Sequence, residues 1–84
     1  MFLDSQILEY IENNLENFFD LTKHYREEKK RLMSKDPLFK EEIMEQYHDK
    51  IRFLISLEIT RDTGCSYEEA IVAIEETQID KLLI

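Results

Sequence analysis

Residues 51–60, IRFLISLEIT, fit two patterns, and the choice between them decides the fold. Ile51, Phe53, Ile55, Leu57 and Ile59 alternate along the segment, which is the period of a strand with one buried face. The same segment also continues a helical series. Phe39, Ile43, Tyr47, Ile51, Leu54 and Glu58 recur at spacings of three and four and share one helix face. A strand needs a partner, and no second alternating segment exists to supply one; an unpaired strand is not stable. One Gly and one Pro in 84 residues leave almost no turn chemistry for a sheet of several hairpins. The segment is therefore expected to be helical, and apolar on more than one side because neighbours pack on two sides of it.

The boundaries follow from the flanks. Upstream, SKDPLFKEE places Asp36 as a cap and Pro37 at a first helical position, where its missing N–H costs nothing. This gives a helix over 37–63. Before it, Leu8, Ile11, Leu15, Phe18, Tyr25 and Leu32 form a heptad-like seam with Thr22 and Lys29 as polar interruptions. That seam predicts one long helix over 5–33, capped by Asp4 or Ser5, with bases at its negative end. The two interruptions either fix register or mark where the seam leaves the core. Downstream, Gly64 closes the second helix, and Ser66 with Glu69 reads as a capping box opening a third over 67–78. Tyr67, Ala70, Ile71 and Ile74 define the buried face of this third helix. The tail 79–84, IDKLLI, either docks as a last turn or waits for a partner.

The fold expected is all-α: one domain made of a long antiparallel hairpin and a shorter C-terminal helix. Long helices of roughly 29 and 27 residues would span about 40 Å each. The third helix covers less than half of that. A second copy, giving a homodimer, or a bound protein is expected to cover the remainder; the alternative is a first helix that is kinked or shorter.

Charge is unevenly spread in a chain of net −8. Residues 1–22 hold five acids and no base, and residues 62–84 hold six acids and one base. Residues 23–35, KHYREEKKRLMSK, hold six bases and two acids. Such a field repels nucleic acid and membrane phosphates in general and favours a protein partner with a basic surface. The single cysteine, Cys65, fits a reducing compartment. With no apolar run of membrane length and no basic start within residues 1–22, a cytoplasmic location is expected and no membrane contact.

The stretch 62–76, DTGCSYEEAIVAIEE, resembles a helix-turn-helix. Gly64 stands at the turn, Ile59 and Cys65 on customary buried positions, and Ile71 and Ile74 on those of the second helix. Thr60 stands where a small alanine is customary. The second helix, where such a motif keeps its DNA-reading side chains, instead carries Glu68, Glu69, Glu75 and Glu76. Base readout and phosphate neutralisation rely on Arg, Lys, Asn or Gln there, and four carboxylates raise the electrostatic cost.

The remaining constellations are thin. Glu45 and His48 make one Glu-x-x-His, and His24 has Glu28 one turn on, against the two pairs and two further glutamates of a di-metal bundle site. Cys65 has no His nearby in sequence to activate it. No enzyme activity, metal or cofactor is expected. The function expected is non-catalytic protein binding, as a regulatory adaptor or inhibitor. Its face is Tyr67, Glu68, Glu69, Glu75 and Glu76, with Leu82, Leu83 and Ile84 as apolar anchors. The alternatives are a nucleic-acid-binding regulator using the helix-turn-helix-like corner and the basic block Lys23–Lys35, with Lys29, Lys30 and Arg31 as its contacts, and a structural homo-oligomer.

Overall fold

A computed structural model describes residues 5–83. The fold is all-α and bundle-like, with no strand among the described residues. Its helices are α1 (Ser5–Asn13), α2 (Leu15–Lys35), α3 (Lys40–Thr63), α4 (Tyr67–Thr77) and α5 (Ile79–Leu82). A 3-10 turn, Pro37–Phe39, joins α2 to α3 and makes them an antiparallel hairpin. The molecule measures 41 × 24 × 17 Å.

Residues 51–60 lie inside α3, so the helical period wins over the alternating one. The inner stripe is Tyr47, Ile51, Ile55 and Ile59, a strict four-residue step. The expected face drifted differently: Phe39 is exposed, and Ile43 and Leu54 are only half-buried. Phe53 and Leu57, expected to meet a second neighbour, stay exposed on the far side of the stripe.

The long first helix is broken. Asn14 leaves helical geometry at φ −120°, ψ 19°. Its side-chain amide donates to the Tyr10 carbonyl at 2.7 Å, while its backbone N–H bonds Ile11 O at 3.2 Å. A side chain has thus taken the acceptor that helix continuation would use, as Asn readily does. The break lets α1 pack against α3 and α4 instead of running on past them. Asp4 falls outside the described residues. Asp36 precedes Pro37 as expected, but its side chain makes no capping hydrogen bond.

The core sits at the open end of the hairpin. Ile7 and Ile11 of α1, Phe18 of α2, the three α3 isoleucines, and Ala70, Ala73 and Ile74 of α4 meet there. Ile79 and Leu83 close it from the last turn, so the tail docks on its own chain. Each fully buried Ile or Phe contributes about 1.5–3 kcal/mol through apolar burial.

Further along the hairpin the seam changes character. Thr22 is fully buried and satisfies its hydroxyl by donating to Phe18 O at 2.8 Å. Beyond it the two helices meet through Tyr25 and Tyr47, whose rings stand edge to face at 6.2 Å. Lys50 caps this pair, its Nζ 4.7 Å from the Tyr47 ring centroid. Thr22 and Lys29 both remain in the seam, so the polar interruptions mark the end of the aliphatic core and not the end of helix contact.

Candidate functional site

The corner between α3 and α4 is built as its sequence suggests. Gly64 takes the left-handed conformation at φ 75° and its N–H closes on Thr60 O at 3.0 Å. The Ser66 hydroxyl accepts from Glu69 N at 3.1 Å, and the Glu69 carboxylate accepts from Ser66 N at 3.3 Å. Both halves of the capping box are present.

This corner gives the four glutamates different employment. Glu69 is tied to the cap. Glu75 accepts from Arg52 of α3 at 3.1 Å. Glu68 and Glu76 are exposed and face solvent. Tyr67 is not part of the buried face: it is 45 % exposed, and its ring packs 6.2 Å from that of Phe53. The buried face is Ala70, Ala73 and Ile74, with Ile71 half-buried. Small alanines let α4 approach the α3 stripe closely, which pushes the bulky Tyr67 to the rim. Leu57 lies one turn beyond Phe53 on the same side of α3 and is also exposed. Phe53, Leu57 and Tyr67 thus form an apolar patch beside an acidic helix. Exposed Asp49, one turn before Phe53, adds a carboxylate at its other edge.

The tail divides. Leu82 is exposed, but Leu83 is 1 % exposed and belongs to the core, so it is not offered to a partner. Its neighbour Ile79 occupies the same core, and the four-residue spacing between them explains why both turn inward. Ile84 lies outside the described residues.

Behind the corner is a polar clasp that sequence spacing did not reveal. Asp80 is 6 % exposed, and its carboxylate lies 2.6 Å from His48 Nε2 and 3.8 Å from Arg52 Nε. Arg52 reaches on to Glu75, so α3 holds both α4 and α5 through one chain of charged groups. His48 is therefore engaged with a residue 32 positions away. The spacing Glu45-x-x-His48 gave no hint of this. His24 does stand 3.6 Å from Glu28, one turn on. Among the described residues no group of three or more His, Cys, Asp or Glu gathers as a metal site would require. Cys65 is a free, half-buried thiol packed against the core.

The basic block splits in two. Arg31 faces a groove shared with His24, Glu27 and Glu28. Lys29 and Lys30 face another groove, joined there by Arg26 and, from beyond the turn, Lys40. Lys29 is 7 % exposed, and burial together with the Arg26 charge holds its ammonium below the ordinary lysine range. The trio Lys29, Lys30 and Arg31 is thus not one surface. Arg26 lies within the basic block 23–35, but Lys40 was missed because its place beside that block depends on the turn geometry.

No helix among the described residues is long and apolar enough to cross a membrane. No family model, curated protein or solved structure matches this chain.

Proposed function

We propose that this chain is a non-catalytic protein-binding protein whose docking face is the Phe53–Leu57–Tyr67 patch with the outward carboxylates of α4. The reading is supported by one observation above the rest: three large apolar side chains left exposed together beside a corner fixed by a capping box. Scattered apolar residues on a surface are ordinary, but a contiguous group rimmed by charge has the make-up of an interface. Aromatic residues at the centre of such a patch carry most of the binding energy in typical interfaces. Glu68 and Glu76 select a partner with a basic rim and, by steering, raise its association rate. In this reading the protein is a regulatory adaptor or inhibitor, acting by occupying the partner's surface.

The test uses the full chain as bait, in a native extract and then with any purified partner. Tyr67→Ala and Glu68→Lys/Glu76→Lys leave the capping box and the core intact, so helicity and melting temperature are expected to hold. Retention of the partner is expected to fall in both variants, and only the charge variant is expected to lose its salt dependence. Retention unchanged in both variants rules the face out. A homo-oligomer built through the same patch is distinguished by sedimentation velocity: its mass rises with concentration and Tyr67→Ala abolishes the rise.

A further inference from the structure

The groove at the closed end of the hairpin has a volume of about 540 Å³. Its charged lining is Arg26, Lys29, Lys30 and Lys40, all cations. Three of these lie on one face of α2 at spacings of three and four, and the chain reversal at Pro37 swings Lys40 in from α3. Ser34 adds a hydroxyl, and Met33 and Pro37 provide an apolar wall. Arg26 spends its hydrogen bonds on neutral oxygens, Phe19 O at 2.6 Å and Thr22 Oγ1 at 3.4 Å, so these bonds fix its guanidinium without neutralising it. In a chain of net −8, four cations line this one concavity with no acid among them, whereas the other grooves described each include a carboxylate.

We propose that this groove binds a compact polyanion, the linked phosphates of a small molecule. Fixed guanidinium and ammonium donors around a concavity make short, charge-assisted bonds to phosphate oxygens. Compactness follows from the flanks. Glu27 and Glu28 line the neighbouring groove around α2, and Glu41 and Glu42 line the one beyond Pro37. A nucleic-acid strand running out of the cationic groove meets these carboxylates within a helical turn, whereas a short phosphate chain ends before them.

The experiment titrates the full chain with sodium tripolyphosphate at low salt, read by calorimetry and by amide chemical shifts. Saturable one-to-one binding is expected, with shifts centred on residues 26–40. Lys30 and Lys40 are both exposed, so Lys30→Glu/Lys40→Glu keeps the fold while weakening binding about a hundredfold, roughly tenfold per reversed charge. Lys30→Ala alone is expected to move in the same direction by less. Arg31→Glu, outside the groove, is expected to change affinity less than about twofold, a small fraction of one charge-assisted bond. Adenosine triphosphate binding more tightly than tripolyphosphate assigns the apolar wall to a base and sugar; equal binding assigns the site to the phosphates alone. No saturable binding at low salt overturns the proposal. So does an Arg31→Glu loss as large as that of the groove variant, or tighter binding of a single-stranded oligonucleotide at equal phosphate concentration.

Discussion

Helices α2 and α3 touch along two stretches that hold together by different means. At the open end, α3 presents Ile51, Ile55 and Ile59, and four other helices close around them. Towards the turn, the same two helices meet through Tyr25, Tyr47 and Lys50, with Lys29 buried further on. The first stretch removes its isoleucine stripe from water. The second keeps one side wet and uses amphipathic groups, whose apolar bodies pack while their charged ends reach solvent. The aliphatic core and the cationic groove are thus segregated along one pair of helices. The core concentrates where five helices converge, and the cationic groove lies at the turn between two of them.

The largest effect is expected from removing the centre of the first stretch. Ile55 is fully buried, and Ile55→Ala loses its transfer energy and leaves a cavity, at about 3–4 kcal/mol. Ile43, half-buried near the turn, should lose about 1 kcal/mol on the same truncation, since solvent and flexible neighbours fill the space. Urea unfolding followed by circular dichroism measures both. Equal losses would mean that the hairpin shaft is as well packed as the core, and the contrast would fail.

Next comes the clasp that seals the packed end. Asp80→Ala removes the buried carboxylate that His48 and Arg52, both half-buried, converge on, and the expected cost is about 1–2 kcal/mol. The loss should be local before it is global. Cleavage at Lys81 by trypsin should accelerate far more than cleavage at Lys35, since α5 detaches first. Equal acceleration at both sites would mean that the last turn unfolds only with the whole.

How much of this was legible in the sequence depended on whether a rule was local. The α4 corner was readable to the residue, because Gly64, Ser66 and Glu69 act on backbone groups within four positions. The hairpin turn was readable because Pro37 cannot extend a helix. The break at Asn14 was missed because the heptad seam continues across it; what decides is one side-chain amide competing for one carbonyl. Leu83 was misassigned as an anchor because an apolar tail looks the same whether it docks on itself or elsewhere. The Asp80 clasp and the four-cation groove join residues 10 to 32 positions apart, which spacing along one helix does not encode. Phe53 and Leu57 were visible as apolar but not as exposed, because that depends on how far α4 extends over α3.

Smaller effects sharpen the boundary of the packed end. Gly64→Ala places a β-carbon in open space, so its cost is backbone strain alone, about 1–2 kcal/mol for a left-handed residue. Gly64→Asn, which tolerates that conformation better, should recover part of it in the same unfolding assay. Tyr10 ties α1 to the end of α3 by donating to Asp62 Oδ2 at 2.5 Å. Burial, then this bond, raises the Tyr10 phenol far above its usual range; the bond, then Arg61, lowers the Asp62 carboxyl. The stabilisation from Asp62 therefore stands above its unfolded pKa and fades as pH falls through the depressed folded one. That from Tyr10 stands below the usual phenol value and fades as pH rises. The difference in stability between the native chain and Tyr10→Phe should be a plateau across neutral pH that declines on both sides. A difference independent of pH would assign Tyr10 a packing role only.

The smallest effect is expected at the turn, and its smallness is informative. Leu38 is 95 % exposed, so Leu38→Ser should change stability by less than about 0.5 kcal/mol. Phe39 beside it is exposed as well, and neither belongs to the core cluster. A hairpin turn needs Pro37 and the residues that aim α3, and it does not need two bulky apolar side chains in water. If thermal unfolding of Leu38→Ser overlays that of the native chain, folding does not account for the leucine. The turn then joins the groove behind it as surface kept for contact. A loss above about 1 kcal/mol, larger than surface substitutions usually cost, would place Leu38 under cover that this single chain does not supply. Sedimentation of the same two samples would then show whether that cover is a second copy.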